Sequence, residues 1–309
     1  MQQRMKSIAV ILIMSVALTL FLVAVVDSSG DTTFAQQRRR LPVPDIDKYL
    51  SHWSESEPIM SEGPYIEWSI LRRLNGSHPL RPDKKGSVLT DLNAVNYAVL
   101  EPSGESLRKA LVSCQRIMYV VSGEGTVRAA GKTVDLYDGI GVLMPPGMSY
   151  TLKNTGKTQL AMYIVEEPIP NGFSPRKDMA VRYEYDNRIS TNVNRVDSEN
   201  WLFGPDDGLS TLVSFNPIMY EPKSLVPPHV HEPGVEEVWI AVRGDMQIMV
   251  GRQRRDFPPG SAYKVPADGY TPHTNINTAD TSKKLLWMMK VPVVRVPVPQ
   301  QERSRDGII

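Results

Sequence analysis

The chain has 309 residues, 41% of them apolar, which is enough for two ordinary domains with real cores. Its 35 basic and 34 acidic side chains leave a formal net charge of +1, so no overall field draws it to nucleic acid or to an acidic membrane. A lone cysteine, Cys114, excludes an internal disulfide, and 25 prolines with 21 glycines favour short strands and turns over long helices.

Arg4 and Lys6 precede an unbroken apolar run over residues 8–26, and the run ends at Asp27 and Ser28. This reads as an export signal. Thr33, Phe34 and Ala35 offer a peptidase site ahead of Gln36, so residues 1–35 are expected to be a signal peptide of a secreted or periplasmic protein. The run also nearly suffices to span a bilayer, and the alternative is an uncleaved anchor at residues 8–26, the one case in which membrane contact is expected. Residues 36–44 are polar, basic and proline-containing and read as a linker. A short helix is expected over residues 45–51, where an acidic first turn follows Pro44.

Beyond it the chain is β-rich. Runs at 117–121, 126–129, 140–143 and 159–165 are separated by Gly, Pro and Asn turns, and a second set occupies 238–242, 246–250, 262–265 and 284–291. The two sets are copies. Gly123, Gly139 and Pro145 recur as Gly244, Gly260 and Pro266 at an offset of 121. Gly147 recurs as Gly269 at 122, while Tyr150 and Asn154 face His273 and Asn277 at 123. Upstream, Glu101 and Pro102 match Glu221 and Pro222 at 120. A repeat this long is a duplicated domain, and many short antiparallel strands argue for sandwiches or closed barrels. The copies divide the chain into residues 45–170 and 171–299, with a polar tail at 300–309.

The chemistry concentrates in the second copy. His229, His231 and His273 are three of only five histidines. On a strand, residues two apart share a face, so His229 and His231 aim at one point, and a nearby carboxylate with a third imidazole completes a four-ligand metal set. The spacing of the cupin motif, which this stretch resembles, counts back from Gly244 to Glu237 as that carboxylate, whereas counting forward from His231 selects Glu236. Neighbouring strand residues face opposite sides, so one of them ligates. The repeat sets Glu237, Val238 and Val242 against Arg116, Ile117 and Val121, which favours Glu237 with Glu236 in reserve.

These residues carry a resemblance. His229 to Gly244 is similar to the first cupin motif, His-x-His with Glu and then Gly after it, and Gly260 to Asn277 is similar to the second, with Gly, Pro, Gly, His and Asn in order. The chain thus resembles a bicupin, which implies an all-β fold of two tandem jelly-roll barrels with one divalent metal, Mn, Fe, Zn, Ni or Cu, held by three His and one Glu. It departs from the motif at Lys223, where glycine is expected, and by single-residue insertions before Gly269 and His273.

In the first copy the ligand positions hold Arg116 and Tyr150, so that barrel is expected to be metal-free, its interior filled by a neutralised pair. Trp239 shares a face with Glu237 and is a candidate pocket wall, and Tyr270 in the loop before His273 is a second. No catalytic residue is assigned. His52, His78 and Cys114 read as structural, and Gly123-Glu124-Gly125 reads as a turn without the helix that a phosphate loop needs.

Two functions are compatible with these residues. One is an exported metal-dependent enzyme, an oxidoreductase or a decarboxylase, isomerase, hydrolase or lyase, acting on a small oxygenated molecule. The other is a non-catalytic ligand-binding or storage-type bicupin. Open jelly-roll edges also favour a homodimer.

Overall fold

The computed structural model describes residues 43–186, 189–191 and 197–292. The expected export segment, most of the linker and the polar tail lie outside these residues. Among them, no helix is long and apolar enough to cross a membrane.

One turn of helix, α1 (Ile46–Tyr49), opens the described chain, with the Asp45 carboxylate accepting from the Asp47 amide at 3.1 Å. It is shorter than expected, because Leu50 and Ser51 already belong to a strand. That strand is β1 (Leu50–His52). The first half continues with β2 (Pro58–Glu62), β3 (Tyr65–Arg73), β4 (Ser87–Leu89), β5 (Ala94–Leu100), β6 (Cys114–Ser122), β7 (Gly125–Ala129), β8 (Lys132–Leu136), β9 (Ile140–Met144), β10 (Tyr150–Asn154), β11 (Leu160–Pro168) and β12 (Ala180–Tyr183). The second half holds β13 (Ile189–Thr191), β14 (Asp197–Asn200), β15 (Ser214–Tyr220), β16 (Ser224–Leu225), β17 (Glu236–Arg243), β18 (Met246–Val250), β19 (Gln253–Phe257), β20 (Ser261–Lys264), β21 (His273–Asn277) and β22 (Lys283–Lys290).

These strands make two jelly-roll barrels, each with a large and a small sheet. The large sheets run β12-β9-β6-β11-β5-β3-β2 and β1-β20-β17-β22-β15-β14-β13, with β4 beside β3. The small ones run β10-β7-β8 and β16-β21-β18-β19. The sheets of the two barrels correspond, as the repeat requires, except that β16 has only an isolated bridge, Glu105 to Lys153, as its counterpart. Both copies even bulge at the same place, since Val121 on β6 and Val242 on β17 have no partner across β11 and β22.

The edges cross the expected division of the chain. β12, past residue 170, pairs with β9 of the first barrel, and β1 pairs with β20 of the second. Leu50 faces Tyr263 and His52 faces Ser261. The arm around β1 lies tight against Gly260, whose φ is 94°, and a Cβ there would sit 2.5 Å from His52 Nε2. Only glycine fits there.

The large sheets pack against each other, so their central strands β6 and β17 are buried on both faces. On β6, Ile117 and Tyr119 join a core shared between the barrels, whereas Met118 and Val120 fill the first barrel. On β17, Val238 and Ile240 join the shared core, whereas Trp239 and Ala241 fill the second. Each such buried side chain contributes about 1.5–3 kcal/mol. Strand alternation therefore gives β17 two chemically distinct faces: its even-numbered residues look towards the other barrel, and its odd-numbered ones look into their own.

Candidate metal centre

His229, His231 and His273 converge at the mouth of the second barrel, each offering a ring nitrogen within 4.8 Å of the others. Backbone pairing brings them there. His229 and His273 exchange two amide bonds, at 3.3 and 3.0 Å, although they are 44 residues apart. Their ring centroids lie 4.4 Å apart, and His231 stands 5.0 and 5.2 Å from the other two. The turn before His273 is held by Asp268, whose carboxylate accepts from the amides of Tyr270 and Thr271 at 3.0 and 2.8 Å. The departures from the motif are absorbed in such turns. Lys223, where glycine was expected, takes the left-handed conformation with φ 52°, and so does Ser103 at the equivalent place in the first copy, with φ 61°.

Glu237 completes the set from below. Its Oε1 accepts from two indoles, Trp239 Nε1 at 2.9 Å and Trp287 Nε1 at 2.8 Å. Its Oε2 lies 2.5 Å from His231 Nε2 and 3.1 Å from His273 Nε2, without hydrogen-bond geometry to either. Glu237 and His273 are both 1% exposed. A buried carboxylate oxygen converging on buried imidazole nitrogens is what a divalent cation satisfies, so the residues fit a metal. On the fourth ligand, His229 Nδ1 lies 3.0 Å from Pro227 O, and donation there leaves Nε2 free to ligate.

Electrostatics agree. Burial works against the Glu237 charge, but the adjacent His231 and His273 more than offset it and hold the carboxyl far below its ordinary range. Burial, with repulsion from His273, lowers the His229 pKa below its usual value. Both groups thus stay in their ligating forms, carboxylate and neutral imidazole.

Glu236 faces the other way, away from the histidines. Its carboxylate accepts from the amides of Thr90, Asp91 and Leu92 at 2.5, 3.1 and 2.7 Å, and Lys264 Nζ lies 3.1 Å away. Trp239 lines the cavity over the ligands as expected. Tyr270, expected as a second wall, is absent from that lining; its amide donates to Asp268 in the turn before His273. The cavity measures about 290 Å³, with Val226, Val235, Met289 and Val291 on its apolar side and Asn275 on its polar side.

Trp287 escaped the sequence reading. It faces Trp239 across β17 and β22, but that register depends on the bulge at Val242. Trp287→Phe removes one of the two donors that commit Oε1, and metal affinity is expected to fall about tenfold in a competitive chelator titration. Unchanged affinity would mean that the indole does not orient the ligand.

The first barrel holds the same framework with different chemistry. Tyr150 takes the place of His273, and Lys109, bridged to Tyr150 as His229 is to His273, takes the place of His229. Arg116 is 5% exposed and reaches Glu166 at 2.6 Å, Glu67 at 3.4 Å and the Tyr150 hydroxyl at 3.2 Å. Burial opposes its charge, yet Tyr150, Glu67 and Glu166 raise its pKa above the usual guanidinium value. Lys109 pairs with Glu62 at 2.9 Å and lies over the Tyr65 ring. Two fixed cations thus stand where the second barrel gathers metal ligands. Glu67 and Lys109 were not foreseen; the offset of 120 at Glu101 and Pro102, carried forward, finds Lys109.

The remaining candidates are structural. His52 caps a short turn, and Leu80 N donates to His78 Nδ1 at 3.1 Å. Burial pushes the Cys114 thiol up to about 11, which leaves it protonated and unreactive at neutral pH.

Residues 218–289 match the family described as Cupin domain. No curated protein matches the chain. Solved structures with the same fold include an oxalate decarboxylase from Lactobacillus farciminis, 14% identical over 81% of this chain and 88% of that one, with a TM-score of 0.60. The 7S globulin of Momordica charantia is 11% identical over 79% and 84%, with a TM-score of 0.60. AerE from Microcystis aeruginosa is 13% identical over 79% and 100%, with a TM-score of 0.59. At such identities the likeness concerns the fold, which enzymes and storage globulins share.

Proposed function

We propose that this two-barrel cupin protein is an exported metalloenzyme acting on a small oxygenated molecule in the second barrel. The carrying observation is the pair of buried atoms, Glu237 Oε2 and His273 Nε2, which meet with no hydrogen bond to satisfy them. A storage protein has no use for such a costly arrangement.

His229, His231, Glu237 and His273 would hold the metal. A divalent cation there supplies Lewis acidity, a lowered pKa for bound water or a redox centre, according to its identity. The chain's own residues do the rest. Trp239 and Trp287 hold the Glu237 carboxylate so that Oε2 alone faces the histidines. Val226, Val235 and Met289 exclude water from the cavity, and Asn275 offers a polar group to orient a substrate.

The test is turnover by the metal-loaded protein of sugar derivatives, carboxylates and phenolics, monitored by oxygen uptake and carbon dioxide release. Oxygen uptake identifies oxidative chemistry, and carbon dioxide without it identifies decarboxylation. A metal-loaded protein that binds these molecules reversibly and transforms none would be the ligand-binding type, and the enzyme reading would fail.

A further inference from the structure

The first barrel carries another cavity, about 730 Å³ and open to solvent, with a lining unlike that of the metal centre. Its side chains are the rings of Tyr137, Tyr183 and Tyr185, the carboxylates of Glu124 and Asp138, and the ammonium of Lys157. The rest is threonine and glycine, and no aliphatic side chain contributes. The three rings run edge to face, with centroids 5.3 and 5.4 Å apart. Tyr137 and Tyr185 remain 42% and 54% exposed, forgoing the burial that normally draws aromatic rings inward.

They are held in place from beneath. Glu184, between Tyr183 and Tyr185, is 1% exposed. It pairs with Lys284 of the second barrel at 2.5 Å and accepts from the Tyr119 hydroxyl. A buried ion pair seldom stabilises more than apolar side chains of the same volume would. What this one does is fix the backbone at residues 183–185, and with it the spacing of the tyrosines.

We propose that this cleft binds a neutral oligosaccharide. A sugar ring is apolar on its C–H face and polar around its rim, which suits tyrosine faces bordered by carboxylates and an ammonium. Two carboxylates against one lysine leave a net negative charge that disfavours anionic glycans. The volume exceeds one sugar ring, and Asp138 also borders a cavity of about 340 Å³ between the barrels, so a chain of several units has room to continue. The site lies in the barrel without metal ligands and is independent of the metal centre.

Calorimetric titration of the full chain with cellohexaose, maltohexaose and chitohexaose tests this. At least one should bind saturably with a millimolar or tighter Kd. Binding should weaken about tenfold in Tyr137→Ala and in Tyr185→Ala. Both rings are exposed, so an unchanged thermal midpoint shows that these variants stay folded. Binding should persist in the His229→Ala/His231→Ala protein. Failure of all three sugars to bind, equal binding of hexagalacturonate, retention of full affinity in both tyrosine variants, or its loss in the histidine variant would each overturn the proposal.

Discussion

In Glu237→Gln, bound metal falls from one equivalent per chain to a trace, and the chain stays folded. The substitution keeps the shape of the side chain and an oxygen for the indoles of Trp239 and Trp287. What it removes is the only anion in the ligand set. Outer partners of metal ligands are worth roughly 10–100-fold in affinity, so the loss of a charged ligand should exceed ~100-fold. His273→Ala should behave alike, since it deletes the most deeply buried imidazole of the three. Metal analysis by mass spectrometry gives the content and chelator competition gives the affinity.

The same binding is visible as stability. A metal present at a thousand times its Kd stabilises the folded state by about 4 kcal/mol, so a chelator should lower the thermal midpoint of the native protein and leave that of Glu237→Gln unmoved. Equal chelator shifts in the two proteins would place the metal elsewhere. Acidification should release the metal as the histidines protonate, because only neutral imidazole ligates.

Glu236→Ala is expected to cost about 3–5 kcal/mol of stability without changing metal content. Its carboxylate, 1% exposed, neutralises Lys264 and takes three backbone amides and the Thr90 hydroxyl from a segment of the first barrel. Deleting it strands a buried ammonium and leaves those amides unpaired. Glu167 repeats the device from the other side, accepting from the amides of Thr211 and Leu212 and from Gln115. Denaturant titration measures the loss, and a simultaneous Lys264→Met change should recover part of it, since no unpaired charge then remains. A destabilisation below about 1 kcal/mol would reduce the contact to the rank of a surface pair.

These two adjacent glutamates show how far the sequence could be read. Alignment of the copies favours Glu237, and strand alternation requires that one of the two turn away; in the structure Glu237 faces the histidines and Glu236 faces the segment around Thr90. The histidines were legible because ligand chemistry admits few residue types and the motif spacing survives insertions in turns. Trp287 was not, because its contact with Glu237 spans 50 residues and depends on a bulge that no local pattern announces. The edge exchange was equally hidden. β1 has three residues, too few for a periodicity, and its partner lies at the far end of the other copy. The helix expected over residues 45–51 lost its second half to that pairing, a tertiary contact overriding local preference.

The exchange has a bearing on how the protein comes to be. Leu50 cannot meet Tyr263 until more than two hundred further residues have been made, so β1 stays without its partner strand until nearly the whole chain exists. Contacts this distant in sequence form slowly. A fragment holding either copy alone would lack a strand that the other supplies, and it should be prone to associate through the bare edge. Completion of the fold is therefore a late, whole-chain event.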